Sequence, residues 1–234
     1  MNICLIGNGL TNLVLAKNLI KKKIKVDLLY RNKIINKAKV RTIGISKENI
    51  QFLKKNIVDI EKISWQIDEI KIYNELNQNE EIINFNNYGT SRFSVLKIHE
   101  IYDIVEKSLK KEKNFSKKLI KKNISFSFML DKKYDLIINS DPSSEIAKRF
   151  FFNKINKEYD STAYTTIINH KECKNNSAIQ IFTKIGPIAF LPISNTETSI
   201  VFSILECKFS KNENQIINLI KKYNKRYKII SFNN

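Results

Sequence analysis

Ile3-Cys4-Leu5-Ile6-Gly7-Asn8-Gly9-Leu10-Thr11-Asn12 is the stretch that decides the fold of this chain. Four consecutive apolar residues make a short strand of the fully buried type, and two glycines one residue apart end it. Behind them Leu10, Leu13, Val14, Leu15, Leu19 and Ile20 recur at helical spacing as far as Lys21-Lys22-Lys23, and a second apolar strand, Ile24 to Tyr30, follows at once. Strand, glycine turn, helix and strand in about thirty residues form a βαβ unit, whose parallel strands predict an α/β sheet. In such a turn the first glycine permits the tight bend and the second lets the backbone approach a pyrophosphate. The helix behind them aims free N–H groups and the positive end of its dipole at the anion. Gly7, Asn8, Gly9 and Leu10 are therefore candidate cofactor-binding residues. The third glycine of the pattern is replaced by Asn12, whose side chain predicts a helix set farther from the strand. A dinucleotide site commonly carries Asp or Glu at the end of the second strand to hold the ribose hydroxyls. Here that strand ends Leu28-Leu29-Tyr30-Arg31. Tyr30 takes the place of the carboxylate and offers a phenol to the ribose; Arg31 suits an extra phosphate or solvent.

Glycine is scarce elsewhere, with five glycines and three prolines in 234 residues. Each glycine is thus expected where the backbone needs it. A hydrophobic fraction of 42% and 10% aromatics exclude a disordered chain despite the charge. Lys and Arg number 41 against 23 Asp and Glu, a formal net charge of +18, yet the only arginines are Arg31, Arg41, Arg92, Arg149 and Arg226. The lysines are spread through every segment without a basic block, so the charge reads as compositional background rather than as a nucleic-acid footprint. Cys4, Cys173 and Cys207 are too few for a disulfide framework. No apolar run nears the roughly 20 residues of a membrane span, and Met1-Asn2-Ile3-Cys4 enters a strand without a charged leader. A soluble, cytoplasmic protein of a reducing compartment is expected.

Beyond the βαβ unit, Ser46 or Lys47 opens a helix bearing Ile50, Leu53 and Ile57. Ser64 to Tyr73 alternates as a half-buried strand, with Ile82 to Phe85 as its partner. Ser94 is read as the cap of a long helix carrying Ile98, Ile101, Ile104, Val105 and Leu109. Ile124–Leu130 and Tyr134–Ile138 read as strands, the second leading into Asn139-Ser140-Asp141-Pro142 and a short helix from Ser143 to Arg149, with Asp141 either a cofactor residue or merely the cap of that helix. Strand-like runs at Thr162–Ile168, Ala178–Thr183, Ile188–Ile193 and Thr198–Leu205 predict an antiparallel sheet, followed by an amphipathic helix, Asn212 to Tyr223, and a tail. Trp65, Phe85 and Phe93 are expected in the core. His170 and Cys173 supply only half of a zinc site, so no metal centre is expected. The basic helix Asn212–Lys228 suits a membrane surface or, better, a docked position on the core.

Four stretches, in order, resemble the FAD-dependent aromatic hydroxylases of ubiquinone biosynthesis, within the para-hydroxybenzoate-hydroxylase-like flavoprotein monooxygenases. They are the N-terminal βαβ with Gly7-Asn8-Gly9; Arg41-Thr42-Ile43-Gly44-Ile45-Ser46 before a helix; Tyr134-Asp135-Leu136-Ile137-Ile138-Asn139-Ser140-Asp141; and Phe182-Thr183-Lys184-Ile185-Gly186-Pro187-Ile188-Ala189-Phe190-Leu191-Pro192. The last is the most specific. Thr198-Ser199-Ile200-Val201-Phe202-Ser203 is similar to the family's next strand. The resemblance implies a Rossmann-like FAD/NAD(P)-binding domain, incomplete here, with an inserted and mostly antiparallel β substrate domain. The expected bounds are residues 1–64 and 96–152 for the first, 65–95 and 153–209 for the second, and 210–234 for a C-terminal helix and tail. It implies FAD as cofactor, NAD(P)H as reductant, O2 as co-substrate and an aromatic, prenylated ubiquinone precursor as substrate, with peripheral membrane or biosynthetic-complex association and no specific nucleic acid. Carried over residue by residue, it adds Arg41 and Asp141 to the cofactor site, beside Tyr30 and Arg31 at the end of the second strand, and places Gly186, Pro187, Leu191 and Pro192 facing substrate; the catalytic residues stay unassigned. Asn12, Tyr30, Lys39 and Pro142 depart from the family pattern, and its downstream Gly-Asp segment has no counterpart in these residues. The expectation is a C-terminally truncated or degenerate member, with a non-catalytic module of the same fold, or a basic nucleic-acid binder, as the alternatives.

Overall fold

The computed structural model describes residues 1–31, 39–76, 81–86, 93–120, 134–151, 153, 155–205 and 212–233. The expected strand at Ile124–Leu130, Gly89, Arg92 and Cys207 lie outside them. The chain divides into two compact units: Met1–Ala38, Gln51–Ile60 and His99–Asn156 form the first, and Lys39–Ile50, Glu61–Ile98 and Lys157–Asn234 the second.

In the first unit β1 (Asn2–Ile6), α1 (Leu10–Lys21) and β2 (Lys25–Tyr30) are the expected βαβ unit. Their sheet also takes in β8 (Phe115–Leu119) and β9 (Leu136–Asn139), in the order β8-β2-β1-β9 with every pairing parallel. Ile3, Cys4, Leu5 and Ile6 are all buried, so β1 is covered on both faces, which is why it reads as an unbroken apolar run. Cys4, Ile6 and Leu29 pack with Ile120, Tyr134, Ile137 and Ile146. The helix α3 (Ile98–Leu109) buries Ile101, Tyr102, Val105 and Leu109 at helical spacing.

The second unit holds two sheets. One has the order β14-β10-β13-β12-β11-β5-β6, built from β5 (Glu69–Asn74), β6 (Glu81–Asn86), β10 (Ser161–His170), β11 (Ser177–Thr183), β12 (Gly186–Pro192), β13 (Glu197–Leu205) and β14 (Ile229–Asn233). Its pairings are antiparallel except β11 with β5. Helix α5 (Glu213–Tyr223) is capped by Asn212 and packs Ile216, Ile220 and Tyr223 into a core with Ile188, Phe190, Ile200 and Phe202, so this basic helix docks on the sheet. The other sheet, β3-β7-β4, pairs β3 (Thr42–Ser46) and β4 (Trp65–Ile67) with β7 (Phe93–Lys97).

Three expectations are corrected. Ser94 is buried inside β7 and caps nothing; the helix begins after the strand, at Ile98. Phe85 is 53% exposed and is not core. The short helix α4 (Glu145–Phe150) is capped by Ser144, whose hydroxyl accepts from Ala147 N at 3.1 Å, rather than by Asp141. In addition, the tail after α5 forms β14 against β10. The fold is thus the expected α/β class: a Rossmann-like parallel sheet and a largely antiparallel one.

Candidate functional site

The first unit places its distinctive residues at the carboxyl edge of the parallel sheet. β1 lies between β2, which follows it, and β9, which the chain reaches after β8 on the far side of β2, so the strand order reverses beside β1 at this edge. Open α/β sheets take their ligands at such a switch point. Gly7 continues β1, its N–H donating to Leu29 C=O at 2.9 Å, while Ser140 N–H donates to Ile6 C=O at 2.9 Å. Gly7 has φ +109°, and a Cβ there would stand 2.9 Å from Ser140 Oγ and 3.2 Å from Asp141 N. Conformation and space both demand glycine. Gly9 differs: its backbone is extended (φ −80°, ψ 161°), and a Cβ there would meet no atom of the described residues within 4 Å. Packing within the described residues gives no reason for glycine at position 9; a ligand drawn close to the backbone would. Leu10 opens α1, whose first turn has neither a side-chain cap nor an acidic residue to compete with an anion.

Asn12, the residue in place of the third glycine, is built into the turn. It is 1% exposed, and its Nδ2 donates to Ile6 C=O and Gly7 C=O, both at 2.9 Å. A buried amide must find partners. This one finds them in the glycine turn, tying the helix to the turn where a third glycine would merely have let it approach. Asn8 is held from outside: Tyr102 OH donates to its Oδ1 at 2.7 Å, and Lys117 Nζ donates to Tyr102 OH at 3.1 Å. Lys117 also pairs with Glu106. Burial opposes ionisation of Glu106, but the bond and charge of Lys117, with Lys110 beside it, outweigh this and hold its carboxyl below the usual range.

Tyr30 ends β2 with Lys117 Nζ 5.0 Å from its ring centroid. Arg31 and Asp141, both expected at the cofactor, meet each other: Arg31 Nη2 is 3.7 Å from Asp141 Oδ2 and donates to Ser143 C=O at 2.6 Å. Asp141 Oδ1 accepts from Ser143 N at 2.9 Å and Oγ at 2.6 Å. Burial raises the Asp141 carboxyl, yet these bonds and Arg31 prevail and keep it ionised below the ordinary range. Gly7, Asn8, Gly9, Leu10, Tyr30, Arg31 and Asp141 therefore lie in strand ends, turns and the helix start at one sheet edge.

The remaining expected residues lie in the second unit. Arg41 is exposed ahead of β3, and its C=O accepts from Ile98 N at 3.0 Å. Gly186 starts β12 at φ +137°, where a Cβ would be 1.9 Å from Ser203 O. Pro187 is exposed, Leu191 packs beside Ile67, Val95 and Ala178, and Pro192 is buried on the opposite strand face. His170, read in the sequence as half of a zinc site, is 1% exposed, with Nδ1 2.9 Å from Lys171 C=O and Nε2 3.0 Å from Thr198 Oγ1. It belongs to a buried cluster with Asn175 and Tyr227, and Tyr227 OH donates to Asn175 Oδ1 at 2.8 Å. Among the described residues no group of three or more His, Cys, Asp or Glu is placed to hold a metal. Two cavities in this unit, of about 400 and 140 Å³, have mainly aliphatic and aromatic walls, the larger lined by Tyr164, Ile216, Ile220 and Phe232 and the smaller by Tyr73, Ile181, Phe190 and Tyr227. Among the described residues no helix is long and apolar enough to cross a membrane.

Nothing in the sequence marks Tyr102 or Lys117 as neighbours of the turn, and Asn12 stands out there only as a departure from the glycine pattern. Tyr102 sits on the apolar stripe of α3, next to Ile101, and Lys117 lies in Phe115-Ser116-Lys117-Lys118-Leu119, whose two lysines conceal a strand.

No family model matches the chain. Over 70 residues, 29% of this chain, it is 37% identical to the mitochondrial ubiquinone biosynthesis monooxygenase COQ6 of Danio rerio, a match that covers 14% of that protein. Its fold is similar to that of p-nitrophenol 4-monooxygenase PnpA from Pseudomonas putida DLL-E4, with a TM-score of 0.72 at 11% identity, covering 99% of this chain and 66% of that one. It is similar also to Klebsiella pneumoniae HpxO, solved with FAD and uric acid, with a TM-score of 0.70 at 11% identity, covering 95% of this chain and 61% of that one. The chain thus spans somewhat under two thirds of those solved chains. The motif resemblance is borne out: this chain has the fold of the FAD-dependent aromatic monooxygenases, with a local sequence likeness to a ubiquinone biosynthesis monooxygenase.

Proposed function

We propose that this chain binds FAD at the carboxyl edge of its parallel sheet and supplies the cofactor and substrate-sheet parts of an aromatic hydroxylase. The observation that carries the proposal is the contrast within the turn, where Gly7 is required by the fold and Gly9 faces open space. The donor set fits a pyrophosphate: an uncapped helix start, a glycine without a Cβ in the way, and no acid in the first turn. When bound, FAD supplies hydride acceptance from NAD(P)H and the activation of O2 for hydroxylation of an aromatic ring. The chain's own part is placement. Gly7 bends the backbone, Gly9 and Leu10 present N–H groups to the phosphates, and Asn12 and Tyr102 fix the turn from within and without. Gly186, Pro187, Leu191 and Pro192 would shape a wall against substrate. The likeness to COQ6 supports a ubiquinone precursor as that substrate, with association at a membrane surface or in a biosynthetic complex as part of the same reading.

A second reading, the same fold kept as a non-catalytic module, is favoured by one observation. Arg31 and Asp141, the charged pair expected at the cofactor, satisfy each other and Ser143. Titrating the purified chain with FAD while following flavin fluorescence separates the two. Saturable quenching supports the cofactor site, and its absence at high micromolar FAD contradicts it.

A further inference from the structure

The end of β2 is where a nucleotide's ribose is selected, and this chain builds that end without an acid. Tyr30 closes the strand, Arg31 follows, and residues 32–38 contain neither Asp nor Glu. Behind the Tyr30 ring, in place of a carboxylate, stands a cation. Lys117 Nζ lies 5.0 Å from the Tyr30 centroid and 5.5 Å from that of Tyr102, and donates to Tyr102 OH. Of the acids at this edge, Glu106 is held in its ion pair with Lys117 and lies 3.5 Å from Lys110, and Asp141 is held by Arg31 and Ser143. Asp27, on the same strand as Tyr30, is committed elsewhere, accepting from Ser116 Oγ at 2.6 Å and Tyr134 OH at 2.8 Å.

A carboxylate at this position accepts hydrogen bonds from the ribose diol, so it penalises a missing hydroxyl and repels a phosphate there. A tyrosine ring backed by a lysine does neither. Hydrogen bonds to a charged group discriminate tenfold or more, whereas a neutral phenol discriminates only a few-fold. We infer that Tyr30, backed by Lys117, is a specificity-determining residue that makes this nucleotide site indifferent to the substituent at the ribose 2′ position. The inference rests on the reading of the glycine turn as a nucleotide site and concerns its adenosine half alone.

The test is calorimetric titration of the full chain with ADP, 2′-deoxy-ADP and adenosine 2′-phosphate 5′-diphosphate. The expected result is dissociation constants within fivefold of one another for the wild-type chain. Tyr30→Glu should then bind ADP at least tenfold more tightly than 2′-deoxy-ADP and should reject the 2′-phosphate. Tyr30→Phe, which keeps the ring over Lys117 and guards against a misfolded glutamate variant, should remain indifferent. A wild-type preference of fivefold or more for any one of the three nucleotides would overturn the inference while leaving the nucleotide site standing. Failure of ADP to bind the wild-type chain at all would overturn both.

Discussion

The two units each bury a polar cluster next to a β-turn or strand end, and the clusters finish differently. In the second unit the His170 ring lies between Lys171 C=O and Thr198 Oγ1, while Asn175 accepts from Tyr227 OH and donates to Ser194 C=O at 2.7 Å. Those groups answer one another, and the cluster is closed. In the first unit the inner side of the glycine turn is equally satisfied, with Asn12 bonded to Ile6 and Gly7. Its outer side is held at Asn8 by Tyr102 but ends in Gly9, where a Cβ would meet none of the described residues within 4 Å. A buried polar group with all its partners in the chain marks architecture. A glycine that the described fold does not require is one that a substitution can probe without disturbing that architecture.

Substitutions should separate these roles by their cost to stability. The largest loss belongs to Gly186→Ala, because φ +137° is unfavourable for alanine and the added Cβ would stand 1.9 Å from Ser203 O. Chemical denaturation should show a loss of about 3 kcal/mol or more, or no folded second unit at all. Tyr227→Phe comes next. It strands Asn175 Oδ1 inside the closed cluster and should cost about 1–3 kcal/mol by the same assay.

A smaller effect, confined to acid, is expected in the first unit. Burial raises the Asp27 carboxyl, but the bonds from Ser116 and Tyr134 and the charges of Lys118 and Lys25 overcome this and lower it on balance. A carboxyl lowered by folding stabilises the native state above its unfolded value of about 4, and that contribution disappears as pH falls through the folded value. Wild type should therefore lose stability below about pH 4, and in denaturation measured against pH Asp27→Asn should show a flatter decline there. Least of all should be Gly9→Val. Position 9 has extended backbone and open space, so the change costs only the helix-capping preference, under about 1 kcal/mol.

How much of this was legible beforehand follows from which contacts are local. The βαβ unit was readable because β1 is buried on both faces and α1 begins directly after the glycines. The strands between Ser161 and Leu205 were readable because neighbours in sequence pair, as β11 with β12 and β12 with β13. Hidden from the sequence were the elements whose partners are remote. β7 reads locally as the start of a helix because Ser94 is a good cap and nothing nearby announces its pairing with β3. β8 was overlooked because Lys117 and Lys118 mask an edge strand that pairs with β2. Within the site, the glycines were visible because their chemistry is in the backbone. Asn12, Tyr102 and Lys117 were not, since each acts through a partner in another element or in the turn itself.

FAD titration of the wild-type chain beside Gly9→Val tests the central claim most directly. The account predicts saturable binding to wild type and affinity at least tenfold weaker for the variant, with unfolding temperatures nearly the same. Equal affinity in the two proteins, or no binding to wild type, would contradict it.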